Sequence, residues 1–216
     1  MPAITISREI GSQGDTIAEQ AAIRLGYHLV DKNTIEKVFR QYGFVDFEET
    51  YDESGFWARF DPHRAEMLSL LNQVIKAMVQ YGNVVLLGRG GFAVLKGYAD
   101  VLNVRIQAPF PLRVKRVMGK QVFATQLKAE VFVSDSDRMR RDFVNSMYSE
   151  RWDSLSAFDL VIDTGKISPE MAVDWLKEAV HRISHLPLDD ALTTRSMEVD
   201  PVLADSVAQV LNEQPV

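Results

Sequence analysis

The chain contains no cysteine, which excludes disulfides and thiolate metal sites. Histidine is scarce as well, with four scattered along the chain as His28, His63, His181 and His185, a supply that argues against zinc chemistry. No apolar run approaches the roughly 20 residues needed to cross a bilayer, and the chain enters strand-like sequence at once, without the basic and apolar regions of a leader peptide. A cytoplasmic protein with no membrane contact is expected. Basic charge is also in deficit, with 24 Lys and Arg against 30 Asp and Glu and a net charge of −6. General nucleic-acid binding is therefore not expected.

What is present fits one ordinary globular core. The 216 residues are 46% hydrophobic and 25% charged, the proportions of a single main domain. Charge is segregated: residues 105–151 hold ten Lys and Arg against five Asp and Glu, while the tail from Leu186 onward holds one Arg against six Asp and Glu. A basic segment inside an acidic chain suits a small anionic ligand gripped at one place, or else a solvated basic helix face.

The most informative stretch is Ile4-Thr-Ile-Ser-Arg-Glu-Ile-Gly-Ser-Gln-Gly-Asp-Thr-Ile-Ala. An apolar strand runs into a glycine turn, and a helix opens at Thr16 with apolar or small residues at Ile17, Ala18, Ala21, Ala22 and Leu25, stopping at Gly26. Such a helix start presents unpaired N–H groups and the positive end of a dipole, so Gly11, Ser12, Gln13, Gly14, Asp15 and Thr16 are candidates to hold phosphate. The stretch departs from the usual phosphate-loop pattern. With Thr16 on the hydroxyl position of a loop reading G-K-G-T, the place of the phosphate lysine falls on Gly14. Arg8, at the start of the loop, is the candidate replacement, its guanidinium fork being suited to phosphate oxygens.

Strands and helices then alternate. Tyr27-His-Leu-Val-Asp reads as a strand with Asp31 at its end, placed either to meet a ligand or to cap the helix expected over Lys32 to Arg40. Residues 43–61 interleave aromatic and acidic side chains and read as a flap or acceptor-site wall. Asp61-Pro62 starts a helix carrying Leu68, Leu71, Ile75 and Met78 and ending at Gly82. Val84-Val-Leu-Leu is the run of a parallel strand covered on both faces, and it delivers Gly88-Arg-Gly-Gly, where Arg89 is a candidate phosphate ligand. A further strand over Val101 to Ala108 precedes a basic helix from Pro111. Then comes Asp135-Ser-Asp-Arg-Met-Arg-Arg, in which Asp137 is spaced to pair with Arg141, while Arg138 and Arg141 share a face. Phe158-Asp-Leu-Val-Ile-Asp is the last strand, followed by a helix from Ser168. Asp200-Pro begins a final amphipathic helix bearing Leu203, Val207, Val210 and Leu211, which either packs back on the domain or serves a partner or self-association.

Five strands alternating with helices, the first leading to a glycine loop, imply an α/β fold of the P-loop class, a five-stranded parallel sheet flanked by helices, which the resemblance described next makes a P-loop kinase fold. The combination of Thr5-Ile-Ser-Arg-Glu-Ile-Gly-Ser-Gln-Gly, Asp15-Thr-Ile-Ala, Val30-Asp-Lys, Gly88-Arg-Gly, Asp137 with Arg140 and Phe143, and Tyr148 to Trp152 before Phe158-Asp-Leu-Val-Ile-Asp-Thr resembles the cytidylate kinase-like family, over about residues 3–183. The resemblance implies a helical lid over about 119–152 within a domain spanning 1–186, followed by an acidic extension over 187–216. It further implies ATP as donor on the glycine loop, Mg²⁺ on Thr16, Arg89 on the acceptor phosphate, and Arg138, Arg140 and Arg141 as lid arginines. Gly90 stands where true cytidylate kinases carry Asp, and the lysine-less loop is shared with this branch of the family.

Three functions follow as expectations. The first is an ATP- and Mg²⁺-dependent kinase for a nucleoside monophosphate or similar phosphorylated acceptor, cytidylate being the first candidate. The second is a nucleotide-binding sensor or pseudokinase acting through its tail. The third is a kinase for a non-nucleotide small molecule, with Asp31 as base.

Overall fold

Aliphatic alternation in β1 (Ala3–Arg8) sends Ile4 and Ile6 to one face of the sheet and Ala3 to the other. The same period of two splits β3 (Val84–Leu87): Val84 and Leu86 enter one core, Val85 and Leu87 the other, which is why this strand reads as an unbroken apolar run. The computed structural model describes residues 2–43, 64–188 and 190–213. The aromatic and acidic stretch from residue 44 on, and the helix start expected at Asp61-Pro62, lie outside the described residues.

With β2 (His28–Val30), β4 (Val101–Gln107) and β5 (Leu160–Asp163), the strands form one parallel sheet in the order β2-β3-β1-β4-β5. This is the P-loop kinase arrangement that the strand-helix alternation and the resemblance together imply. Parallel neighbours require crossovers, and helices supply them. α1 (Gly14–Leu25) and α7 (Pro169–Ile183) cover one face through Ile17, Ala18, Ala21, Val173 and Leu176. α2 (Lys32–Gln41) and α3 (Arg64–Tyr81) cover the other through Val38, Phe39, Leu71, Val74, Ile75 and Met78. The single turn α4 (Gly91–Val94) follows β3, and α5 (Phe110–Lys120) and the 23-residue α6 (Gln126–Tyr148) follow β4. Among the described residues no helix is long and apolar enough to cross a membrane.

After α7 the chain crosses to the opposite face. Ala99 donates its N–H to Leu192 O at 2.9 Å, and the buried Asp100 carboxylate accepts from the N–H (2.8 Å) and the hydroxyl (2.7 Å) of Thr194. These bonds satisfy a carboxylate that burial would otherwise destabilise. Beyond them, α8 (Pro201–Asn212) starts at Asp200, whose side chain accepts from Leu203 N at 2.9 Å, an N-cap followed by proline at the first position. Leu203, Val207, Val210 and Leu211 all lie in the core shared by α2, α3 and β3. The amphipathic stripe of the tail is spent on the domain itself.

Candidate functional site

Five parallel strands bring their carboxyl ends to one edge, where ligands gather in open α/β sheets. At the end of β1 the chain turns through Gly11 (φ 76°) and Gln13 (φ 64°) into α1. Gly11 is required on two counts: its angle is left-handed, and a Cβ there would lie 2.8 Å from the Arg113 carbonyl oxygen. Gln13 is the N-cap residue but gives no side-chain cap. Among the described residues, the N–H groups of Gln13, Gly14, Asp15 and Thr16 consequently meet no hydrogen-bond acceptor. Ser12 differs from the other loop residues. It is fully buried, its N–H (3.3 Å) and hydroxyl (2.8 Å) both turn to Glu9 O, and its carbonyl accepts from the Thr164 hydroxyl at 2.7 Å. Arg116 completes the seam by donating to Thr164 O (2.8 Å), Thr164 Oγ1 (2.9 Å) and Gly11 O (3.3 Å).

Behind the loop lies a charge-balanced network of two arginines and two carboxylates. Glu9 meets Arg105 at 3.4 Å and Arg113 Nε at 3.2 Å, and accepts from Ala108 N at 3.2 Å. Asp137 of α6 takes Arg113 Nη1 at 2.6 Å and the Ile10 N–H at 3.1 Å. Arg105, 3% exposed, also donates to Trp152 O at 2.8 Å and stacks 4.3 Å above the Trp152 ring. Burial lowers the Arg105 pKa, and the Glu9 carboxylate works against that shift. The pairing expected between Asp137 and Arg141 is corrected here: Asp137 faces inward with Val133 and Val144, whereas Arg141 is exposed. Spacing along one helix cannot reveal a partner supplied by another.

In front of the loop the balance tips positive. Arg8 lies over the loop, its Nε (3.0 Å) and Nη2 (2.8 Å) both on Asp15 Oδ1. Gly14 and Gly88 make room for it: a Cβ at Gly14 would meet Arg8 Cβ at 2.5 Å, and one at Gly88 would meet Arg8 Nη1 at 2.6 Å. Arg140 projects from α6 toward the same place, donating to Ser136 O at 3.0 Å, with Asp137 Oδ1 3.9 Å away. Burial first, then the charges of Arg8 and Arg89, lower its pKa to about 10, against the pull of Asp137 and Asp15. It stays charged at neutral pH. Arg138 and Arg141 lie on the outer face of α6, where Arg138, 65% exposed, pairs with Asp135 at 3.0 Å. Of the three arginines expected to belong to a lid, Arg140 is the one on which the charges of Arg8 and Arg89 bear.

Residues 88–90 run through three successive left-handed conformations, at φ 78°, 56° and 72°. For Arg89 this costs about 1–2 kcal/mol that a glycine would be spared. A side chain at Gly90 would collide with Tyr148, whose Cε2 lies 2.2 Å from the place of a Cβ. Tyr148 donates its hydroxyl to Asn72 Oδ1 (3.0 Å), with Arg89 O at 3.5 Å, and burial raises its pKa. Asp31 stands apart at β2, two strands from β1, and its carboxylate accepts from the N–H (2.9 Å) and hydroxyl (3.1 Å) of Thr34, capping α2.

Sequence reasoning passed over Glu9, Arg105, Arg113, Arg116 and Thr164. A signal existed for Arg105, a lone charge inside the apolar strand Val101–Gln107; for Arg113 and Arg116, set in a basic helix, none did.

Residues 3–166 match the model of the cytidylate kinase-like family. The chain belongs to that family. It is 30% identical over 200 residues to the cytidylate kinase of Pyrococcus horikoshii, covering 91% of this chain and 96% of that one. It is 28% identical over 177 residues to the cytidylate kinase of Ignicoccus hospitalis, covering 82% and 98%. Among solved structures, an uncharacterized protein from Eubacterium ventriosum superposes with a TM-score of 0.66 at 19% identity, over 84% of this chain and 99% of that chain. That likeness concerns the fold. The family match spans all five strands, the glycine loop, Arg89 and the α6 arginines.

Proposed function

We propose that this member of the cytidylate kinase-like family moves the γ-phosphoryl group of ATP, in the presence of Mg²⁺, to a small phosphorylated acceptor, with cytidylate the first candidate. One observation carries the reading: Arg8 lies over a helix start whose first amides meet no acceptor among the described residues, and the charges of Arg8 and Arg89 both bear on Arg140 of α6. Phosphoryl transfer spreads negative charge over several oxygens, so catalysis is mostly positioning and electrostatic stabilisation. The amides of Gln13, Gly14, Asp15 and Thr16 would hold donor phosphate, Arg8 would stand in for the loop lysine, and Arg89 would hold the acceptor phosphate. Arg140, between them, would face the charge that develops in transfer. An acceptor phosphate oxygen forms the new P–O bond as the bond to the departing ADP oxygen breaks. That oxygen is already anionic, so no general base is required.

The residues fit a nucleotide-borne cation better than a protein cage. Among the described residues no three His, Cys, Asp or Glu gather to hold a metal, and Mg²⁺ ordinarily uses one or two protein oxygens together with phosphates and water. The Thr16 hydroxyl, which makes no hydrogen bond among the described residues, suits that role. When bound, the ion would neutralise charge on the transferring phosphates.

The sensor reading needs a tail free to engage a partner, yet the apolar residues of α8 are in the core. The non-nucleotide reading needs Asp31 as a base, yet that carboxylate caps α2. Neither gains support. The test is ADP release from Mg·ATP with CMP, dCMP, UMP, AMP and GMP as acceptors, beside Arg8→Ala and Arg89→Ala. Acceptor-dependent turnover lost in both variants is expected; no turnover with any acceptor would overturn the reading.

A further inference from the structure

Asp15 carries the wrong sign of charge for a residue in a phosphate loop. It sits in the first turn of α1, half exposed, and its Oδ1 accepts from both Nε and Nη2 of Arg8. A carboxylate there is favoured by the same helix-start field that favours a phosphate, so Asp15 competes with an incoming anion twice, for the helix end and for Arg8. Two anionic groups brought this close oppose each other unless a cation lies between them. The oxygens suited to such a cation are at hand. Asp15 Oδ2 stands outside the pair with Arg8, and the hydroxyl of the next residue, Thr16, makes no hydrogen bond among the described residues. Both are hard oxygen donors of the kind that Mg²⁺ takes alongside phosphates.

We infer that the Arg8–Asp15 ion pair is exchanged when nucleotide binds: Arg8 turns to phosphate, and Asp15, with Thr16, turns to the divalent cation that the phosphates carry. Asp15 is then the residue that makes polyphosphate binding depend on metal. The carboxylate holds Arg8 in place over the loop beforehand, and it penalises any polyphosphate that arrives without its cation. This inference rests on the reading of the loop as a polyphosphate site.

The experiment is calorimetric titration of the full chain with ADP, once with excess Mg²⁺ and once with EDTA, for the natural protein, Asp15→Asn and Asp15→Glu. Thermal melts check that each variant is folded, as expected for a half-exposed position. The natural protein should bind Mg·ADP about tenfold or more tightly than metal-free ADP, the scale of a partly screened charge contact. Asp15→Asn should bind metal-free ADP more tightly than the natural protein does, shrinking the metal preference to about threefold or less. Asp15→Glu, which keeps the carboxylate, should retain most of it. An unchanged preference in Asp15→Asn overturns the inference and leaves the loop reading standing, and so does a folded Asp15→Asn that binds neither form. A natural protein that binds ADP in neither condition overturns the loop reading and this inference together.

Discussion

Two sets of arginines meet around the end of β1 and are treated in opposite ways. Arg105 and Arg113, behind the glycine loop, are buried and matched in number by Glu9 and Asp137, with further N–H groups on the carbonyls of Trp152, Ala108 and Ile10. In front of it, burial first and then the charges of Arg8 and Arg89 lower the Arg140 pKa, and among the described residues Asp137 Oδ1 lies 3.9 Å from Arg140. The first set is a finished structure, because buried charge is tolerated only when paired and hydrogen-bonded. The second is held more loosely, with Arg8 on the half-exposed Asp15 and Arg140 at the edge of ion-pair distance from Asp137. The same residue type is thus locked in buried, matched pairs on one side of the loop and held in exposed or longer pairs on the other, the side to which the proposed function assigns phosphate.

The largest test of that contrast is Glu9→Ala. It would leave Arg105 and Arg113 buried without one shared partner, and a loss of about 3–5 kcal/mol in urea unfolding is expected. A loss under about 1 kcal/mol, the range of exposed ion pairs, would show that the rear network is not structural. Arg140→Ala should do the reverse. Removing a charge-stabilising donor should lower kcat with the best acceptor about 10²–10³-fold, while stability holds or rises slightly as repulsion with Arg8 and Arg89 is relieved. A stability loss as large as that of Glu9→Ala, with kcat intact, would erase the distinction between the two sets.

Tyr148→Phe comes next in size. The hydroxyl that reaches Asn72 and Arg89 O would be gone, and about 1 kcal/mol of stability with it. Because Tyr148 packs on the Gly88-Arg-Gly turn, the acceptor KM should rise several-fold while the ATP KM stays unchanged; equal changes in both would place its effect elsewhere. Arg141→Ala should do least, within about 0.5 kcal/mol of the parent stability as for an ordinary surface change and with kcat close to the parent. A kcat loss approaching that of Arg140→Ala would bring the outer face of α6 into the site.

Much of this was legible in advance wherever the cause is local. Strand and helix periodicity, the caps at Ser168 and Asp200, and the glycine turns depend on residues within a few positions of one another. The phase of α6 was not legible. Spacing puts Arg138 and Arg141 on a shared face, but only the packing of Val133 and Val144 decides whether that face or the one bearing Arg140 turns inward. Nor was the commitment of Asp31, since a residue at a strand end can cap a helix or face a ligand, and the sequence permits both.

By itself, then, the sequence determined the alternation that becomes a parallel sheet, the left-handed turns that only glycine enters freely, and the lone arginine set among glycines at 88–90. Tertiary structure alone decided which charges are buried in matched pairs behind the loop and which lie in front of it. Ile10 and Asp137 meet across 127 positions, and Ser12 and Thr164 across 152. The sign and strength of an electrostatic site depend on distance and burial in space, and neither is written into the order of residues along a chain.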